Sequence, residues 1–130
     1  MLTDEVRTFL KKPLLARLSV IDAAGYPHSV PVWFDVDGDD IVVISTRDTA
    51  KVRYLQANPR GAITIGGDSG DGGGYLIKGQ LSIVEDPDRR WTKQLTYRYE
   101  DKEQAEKDIA AWVPLDMITI RLKPEQILKV

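Results

Sequence analysis

The alternation of apolar and polar residues predicts β-strands along most of the chain. Between residues 14 and 22, Ala16, Leu18 and Val20 alternate with polar residues, which is the period of a strand with one buried face. The same period continues from residue 27 to residue 36. The other predicted strands cover residues 41–44, 62–65, 75–84 and 117–122, which makes six, and residues 123–130 are expected to be a short tail.

Turn residues separate the first strands and indicate antiparallel hairpins. Gly25 lies in the turn between the first two strands, where we expect it to adopt a positive φ. An acidic stretch around Gly38 marks a second hairpin. The strand at 41–44 is apolar on both faces, so we expect it in the interior of the sheet.

Apolar residues at helical spacing predict four short helices. The first begins at Thr3 or Asp4 and ends before Pro13. The second covers residues 48–58, and the last two carry apolar ridges. Those ridges are Trp91, Leu95 and Tyr99 in the third helix, and Ala105, Ile109 and Trp112 in the fourth.

The order of these elements predicts a mainly β protein. Six strands follow one another mostly as hairpins with short helices between them, and no alternating βαβ pattern occurs. This order favours an antiparallel β-barrel whose ends are closed by helices. We find no linker or internal repeat, so residues 1–130 are expected to form a single domain.

Composition places the chain among ordinary globular proteins. It has 130 residues, of which 42% are hydrophobic and 29% charged, with a net charge of -2. The strongly basic face of a nucleic-acid-binding protein is not expected from this charge. The absence of cysteine excludes disulfides, thiolate metal sites and thiol nucleophiles. We expect no metal site.

The N-terminal residues lack the basic and apolar regions of a signal peptide. The apolar runs are also too short to cross a bilayer. We therefore expect a cytoplasmic protein with no membrane contact.

The segment from residue 44 to residue 53 has the features of a phosphate site. Ser45 and Thr46 end a strand, and a helix with unpaired N-terminal amides begins shortly afterwards. Arg47, Lys51 and Arg53 lie around this junction. Hydroxyls, free amides and cations together favour phosphate binding. The alternative from spacing alone is a capped surface helix with solvated basic residues.

Proline within the second strand indicates an edge. Pro31 has no N–H to donate to a neighbouring strand, so the backbone near it is expected to be free or at the edge of the sheet. Trp33 faces away from Val32 and Phe34 and could lie against a planar ring or a second subunit. Plain packing of Trp33 is the alternative.

Two further features favour structural interpretations. His28 is the only histidine and is expected to lie at the surface or to have a structural role. Residues 66–74 include six glycines and two acids, without the strand–helix context of a dinucleotide-binding loop. We predict a mobile hairpin loop there.

At these motifs the sequence resembles the pyridoxamine 5′-phosphate oxidase-like family of flavin-binding split barrels. The similar segments are RLSVIDAAGYPH at 17–28, VPVWF at 30–34, ISTR at 44–47, KVRYL at 51–55, NP at 58–59 and IKGQLSIVEDP at 77–87. No single motif is specific, but together they occur in the expected order over most of the chain.

The resemblance implies a homodimer of six-stranded antiparallel split barrels, with two cofactors in clefts between the subunits. By position, the backbone of Val30, Pro31, Val32 and Trp33 would border the isoalloxazine ring. Ser45 and Thr46 would bind the phosphate or ribityl region, and Arg47 and Lys51 would neutralise the phosphate.

The sequence is short, and we do not expect the C-terminal extension that carries substrate-binding basic residues in true pyridoxamine phosphate oxidases. It is more similar to the compact branch of the family, whose members bind FMN or the deazaflavin coenzyme F-420. Sequence pattern does not separate these two cofactors.

Three functions follow as hypotheses. The first is an oxidoreductase that uses FMN or F-420 to pass a hydride to or from a small molecule, with the cofactor supplying the chemistry. The second is a non-catalytic cofactor carrier or sensor. A haem-binding barrel has little support with one histidine and no cysteine.

Aromatic and apolar residues also give two further expectations. Tyr26, Trp33, Tyr75 and Trp91 are candidates for the substrate side of the site. The apolar residues of the 41–44 strand, with Trp91, Leu95 and Trp112, offer more apolar surface than a small barrel covers alone, which favours a homodimer.

Overall fold

All strands of the protein pair antiparallel in one curled sheet. The structure, a computed structural model, describes residues 1–130. The strands are β1 Ala16–Ile21, β2 Pro27–Val32, β3 Phe34–Asp37, β4 Asp40–Thr46, β5 Arg60–Gly66, β6 Gly74–Glu85 and β7 Met117–Lys129. The helices are α1 Asp4–Phe9, α2 Ala50–Ala57, α3 Arg90–Tyr99 and α4 Lys102–Ala111. A single 3₁₀ turn, Pro87–Arg89, precedes α3.

The strand order is β2-β1-β5-β6-β7-β4-β3, so β2 and β3 are the two edges of the sheet. These edge strands are consecutive in the chain and are separated only by Trp33. The sheet must therefore curl until its edges meet at one corner. The result is a split barrel, as the resemblance implied, with its seam at Trp33.

The barrel interior is a closed apolar core. Twenty buried apolar residues from all seven strands, α1, α2 and the chain before α1 form one cluster. Leu2, Val6 and Leu10 close one end of the barrel, and Thr3 caps α1 by accepting a hydrogen bond from the Val6 amide. Arg98 of α3 fixes this end by donating to the carbonyls of residues 10, 11, 12 and 34.

Two details of the predicted strands are wrong. The strand expected over residues 27–36 breaks at Trp33, which gives seven strands instead of six. The expected tail at 123–130 continues β7 almost to the end of the chain. A β-bulge lies beside Pro124: the pairing with β6 shifts between Lys78–Gln126 and Gly79–Pro124, which leaves Glu125 of β7 as the extra residue. A Cβ on Gly79 would lie 2.0 Å from the Lys123 carbonyl oxygen, so only glycine fits at the bulge.

A second, smaller apolar cluster lies outside the barrel. Trp91 and Leu95 of α3 pack on Val42, while the alternate residues of β4 face the barrel core. The prediction that β4 is interior and apolar on both faces is confirmed. Because α3 covers this face within the same chain, Trp91 and Leu95 do not provide apolar surface for a second subunit.

The turn at Gly25 also follows the prediction, since its φ is +87°. None of the helices combines the length and apolar character needed to cross a membrane.

Candidate functional site

A cavity of about 460 Å³ opens beside the seam of the barrel. It lies outside the core, between the end of β2, the end of β4, the first turn of α2 and the loop from α4 to β7. Seven of its ten lining residues are hydrophobic. The lining residues are Leu15, Pro31, Val32, Trp33, Ile44, Thr46, Lys51, Trp112, Leu115 and Met117. Its volume is within the range of about 300–1,000 Å³ that holds small-molecule ligands.

Lys51 is the only charged residue in the cavity lining. Its side chain is half-buried and forms no hydrogen bond or ion pair within the chain. Burial lowers the pKa of the Lys51 ammonium below its ordinary value of 10.5. An anionic ligand in the cavity would supply the counter-ion that the protein does not.

The junction between β4 and α2 brings a hydroxyl to the same part of the cavity. Thr46 ends β4 and lines the cavity, and α2 begins four residues later with Thr49 as its N-cap. The Thr49 side chain caps no amide of the helix. The first amides of α2 therefore have no side-chain acceptor, and Lys51 lies in the same first turn.

Ser45 and Arg47 flank Thr46 but do not line the cavity. Ser45 is buried, and its hydroxyl donates to the Thr46 carbonyl over 2.8 Å. Arg47 donates to Asp116 through Nε over 2.8 Å and to Glu85 through Nη2 over 2.6 Å. Because two carboxylates neutralise Arg47, it does not contribute a free cation as Lys51 does.

An aromatic wall forms one side of the cavity. The Trp33 ring stacks on the Tyr99 ring, with centroids 5.3 Å apart and an interplanar angle of 7°. The Trp112 ring lies 6.3 Å from Trp33 at an angle of 50°. The Tyr99 hydroxyl donates to the Leu14 carbonyl and accepts from the Phe34 amide. Tyr99 therefore fixes the orientation of Trp33 from behind.

Five of the eight residues expected to bind a cofactor line this cavity: Pro31, Val32, Trp33, Thr46 and Lys51. The other three, Val30, Ser45 and Arg47, do not; Val30 packs against the barrel core. The edge predicted near Pro31 is confirmed, because β2 is an edge strand.

Sequence reasoning missed the half of the cavity that comes from distant parts of the chain. Leu15 precedes β1, while Trp112, Leu115 and Met117 come from the loop and strand that follow α4. No local pattern marks them as lining residues. Trp112 was expected in a helical ridge and as apolar surface for a dimer, and its position in the cavity follows from the pairing of β7 with β4.

Three of the four aromatic residues considered for the substrate side lie elsewhere. Trp91 belongs to α3 and is buried against Val42 of β4, Tyr75 contacts Phe9 at the other end of the barrel, and Tyr26 is 70% exposed in a turn. His28 packs against the ring of Tyr54 and does not line the cavity.

The glycine-rich loop of residues 67–73 joins β5 to β6 and also lies away from the cavity. It is closed by a hydrogen bond from the Gly67 amide to the Gly73 carbonyl. Arg17 approaches Asp68 to 3.6 Å. The mobility predicted for this loop stays a prediction.

Comparison with known proteins gives one family and several solved structures of the same fold. The family model described as pyridoxamine 5′-phosphate oxidase matches residues 2–130. A search of curated proteins finds no match.

Three solved structures illustrate the shared fold. An F-420 reductase is 22% identical, with a TM-score of 0.74 and 94% of each chain covered. General Stress Protein 26 from Bacillus anthracis is 18% identical, with a TM-score of 0.72, 98% of this chain and 92% of that chain covered. The haem storage protein HutZ from Vibrio cholerae is 21% identical, with a TM-score of 0.70, 98% of this chain and 93% of that chain covered. At these identities the likeness shows the fold alone.

Proposed function

The chain belongs to the pyridoxamine 5′-phosphate oxidase family, and on this premise we propose that it binds FMN and acts as a flavin-dependent oxidoreductase on a small molecule. Coenzyme F-420 is the alternative cofactor. The observation that carries the proposal is the half-buried Lys51 ammonium, which has no counter-ion and faces a cavity with apolar and aromatic walls. A planar ring system bearing a phosphate matches both parts of this cavity.

The polar end of the cavity fits the phosphate. Lys51 would donate to a phosphate oxygen, and the Thr46 hydroxyl and the first amides of α2 would supply further donors. The positive end of the α2 dipole would also attract the phosphate. Each of these groups is present without the ligand, so binding requires little rearrangement.

The apolar part of the cavity fits the ring. Pro31, Val32 and Trp33 belong to an edge strand and the seam after it, so part of their backbone has no partner strand. Trp33 and Trp112 exclude water from this region. A bound flavin or deazaflavin supplies hydride transfer, and the residues of the chain orient it and keep the site dry.

We further propose that the protein is a homodimer in which the second copy covers this cavity. Leu15 and Leu115 line the cavity, yet each is 41% exposed, and Pro31 is exposed as well. These residues form an apolar rim around the cavity opening. A second copy would bury the rim and complete the enclosure of the ligand. Sedimentation at micromolar concentration tests this, and a stable monomer with bound cofactor would contradict it.

A cofactor carrier or sensor is the second candidate function. Apart from the Lys51 ammonium, no side chain lining the cavity carries an acidic or basic group. The chain thus places no evident acid or base beside a substrate. Hydride transfer does not require an acid or base from the protein. The cavity lining therefore fits both an oxidoreductase and a cofactor carrier or sensor.

The absorbance and mass spectra of the purified protein test the proposed cofactor. We expect a flavin or deazaflavin spectrum and the mass of FMN or F-420. A protein that neither retains nor rebinds these compounds would contradict the proposal. A haem spectrum would also contradict the proposal. The haem iron would then need a ligand other than His28, which does not line the cavity.

Reduction of the bound cofactor then separates the oxidoreductase from the carrier. The reduced protein is mixed with candidate acceptors such as quinones and nitroaromatic compounds. An oxidoreductase reoxidises with at least one acceptor much faster than with oxygen. Reoxidation by oxygen alone would favour the carrier or sensor.

A further inference from the structure

One wall of the cavity is a short irregular segment, residues 112–116, which we call the strap. It connects α4 to β7 and places Trp112 and Leu115 in the cavity lining. Its internal support is limited to a few backbone hydrogen bonds, including those from the Leu115 amide to the Trp112 carbonyl and from the Met117 amide to the Leu115 carbonyl. Val113, at its apex, is 65% exposed.

Arg89 holds the first part of the strap. Its guanidinium donates to the Trp112 carbonyl over 2.6 Å and to the Val113 carbonyl over 2.9 Å, and it also donates to the Leu115 carbonyl. These carbonyls follow the C-terminus of α4, where a cation is favourable. One side chain outside the cavity therefore satisfies three backbone acceptors of the cavity wall.

The backbone that carries Arg89 is strained. Asp88 and Arg89 have φ values of +58° and +55°, and they are the only residues other than glycine with positive φ. The buried Asp86 carboxylate fixes this turn by accepting from the Trp91 and Thr92 amides and from the Thr92 hydroxyl. Strain of this kind persists only where the surroundings enforce it, and it is concentrated at functional sites. In this protein the strained turn carries Arg89, the only side chain that donates hydrogen bonds to the strap carbonyls.

Arg47 holds the other end of the strap. Its amide donates to the Asp116 carbonyl over 2.9 Å, and its Nε donates to the Asp116 carboxylate over 2.8 Å. The same guanidinium binds Glu85 at the end of β6. The strap is therefore tied at both ends to residues that do not line the cavity.

We propose that Arg89 and Arg47 are positioning residues, which hold the strap against the bound ligand without touching it. The proposal rests on the proposed function, because the ligand is the one inferred there. It assigns Arg47 a different role from Lys51: Lys51 binds the phosphate, while Arg47 shapes the wall beside the ring. The two roles make different predictions for FMN and for riboflavin, which lacks the phosphate.

The test is a titration of FMN and of riboflavin into four proteins: wild type, Arg89→Ala, Arg47→Ala and a control, Asp101→Ala. The Asp101 carboxylate caps the opposite end of α4 by accepting from the Gln104 amide over 2.9 Å. Its removal weakens the same helix without releasing the strap. All titrations are made at a temperature where the apo proteins remain folded.

We expect Arg89→Ala to raise the Kd for both ligands by the same factor, about 5- to 30-fold, through loss of wall contacts. Arg47→Ala should also weaken both ligands equally. Asp101→Ala should lower the apo melting temperature while changing either Kd by less than about twofold. Unchanged affinity in Arg89→Ala, or an Arg47→Ala loss confined to FMN, would overturn the proposal.

Hydrogen exchange tests the same proposal without any ligand. In apo Arg89→Ala, the amides of Leu115 and Met117 should lose protection, while in Asp101→Ala they should keep it. Equal protection in Arg89→Ala and wild type would overturn the positioning role. If the wild type binds neither FMN nor riboflavin, the proposed function fails, and this measurement still decides whether Arg89 holds the strap.

Discussion

Two apolar regions lie on opposite sides of the same barrel wall, and they differ in how completely they are filled. Inside the barrel, Phe34 and Ile120 are almost fully buried and form part of a continuous core. Outside it, Leu15 and Leu115 remain 41% exposed around the cavity, although they are equally apolar. The first region stabilises the fold, while the second leaves apolar surface uncovered for a ligand or a second subunit.

The charged groups of the two regions differ in the same way. Arg98, at the closed end of the barrel, donates to four backbone carbonyls and also contacts the ring of Phe34. Lys51, in the cavity, has no partner. A cation that satisfies acceptors of its own chain has a structural role, whereas a half-buried cation without an acceptor indicates an anion from elsewhere.

The largest expected effect lies in the filled region. Phe34→Ala removes a ring that is fully buried and that Arg98 covers, so it should lower the free energy of unfolding by about 3–5 kcal/mol. Chemical denaturation of the apo protein measures this change. A loss below about 1 kcal/mol would show that the barrel interior is not the stabilising region.

A smaller effect is expected at the rim, where affinity should change more than stability. Leu115→Ala should weaken FMN and riboflavin alike by about 5- to 10-fold, since about 1 kcal/mol of apolar contact is lost. Its apo stability should change by less than about 0.5 kcal/mol. Val113→Ala is the matched control, because Val113 lies in the same loop but does not line the cavity. Equal losses of binding in Leu115→Ala and Val113→Ala would contradict the assignment of Leu115 to the cavity wall.

The smallest expected effect concerns the stability of the apo protein. The pKa of Lys51 is lower in the folded state than in the unfolded chain, so the unfolded state binds more protons between the two pKa values. The stability of the wild type should therefore rise with pH in the window below 10.5, and Lys51→Met should lack this contribution. Denaturation across that pH range checks the sign. If the contribution of Lys51 to the stability of the wild type falls as pH rises in this window, the burial of an uncompensated cation is contradicted.

The pattern of the chain was sufficient for the barrel but not for the cavity. Period-two alternation located β1, and the proline at position 31 located an edge, because both are local consequences of strand geometry. The pairing that brings Trp112 beside Trp33 is long-range and has no local signal. Arg47 illustrates the same limit, since its acidic partners Glu85 and Asp116 lie 38 and 69 residues away.

The central claim, that Lys51 binds a ligand phosphate, is tested most directly by comparing FMN with riboflavin in wild type, Lys51→Met and the surface control Lys78→Met. A hydrogen bond to a charged group contributes about 1.5–3 kcal/mol, so Lys51→Met should weaken FMN by roughly 10- to 150-fold. Riboflavin binding should be unchanged, and Lys78→Met should bind both ligands like the wild type. Equal losses for FMN and riboflavin in Lys51→Met, or no loss for either, would contradict the claim.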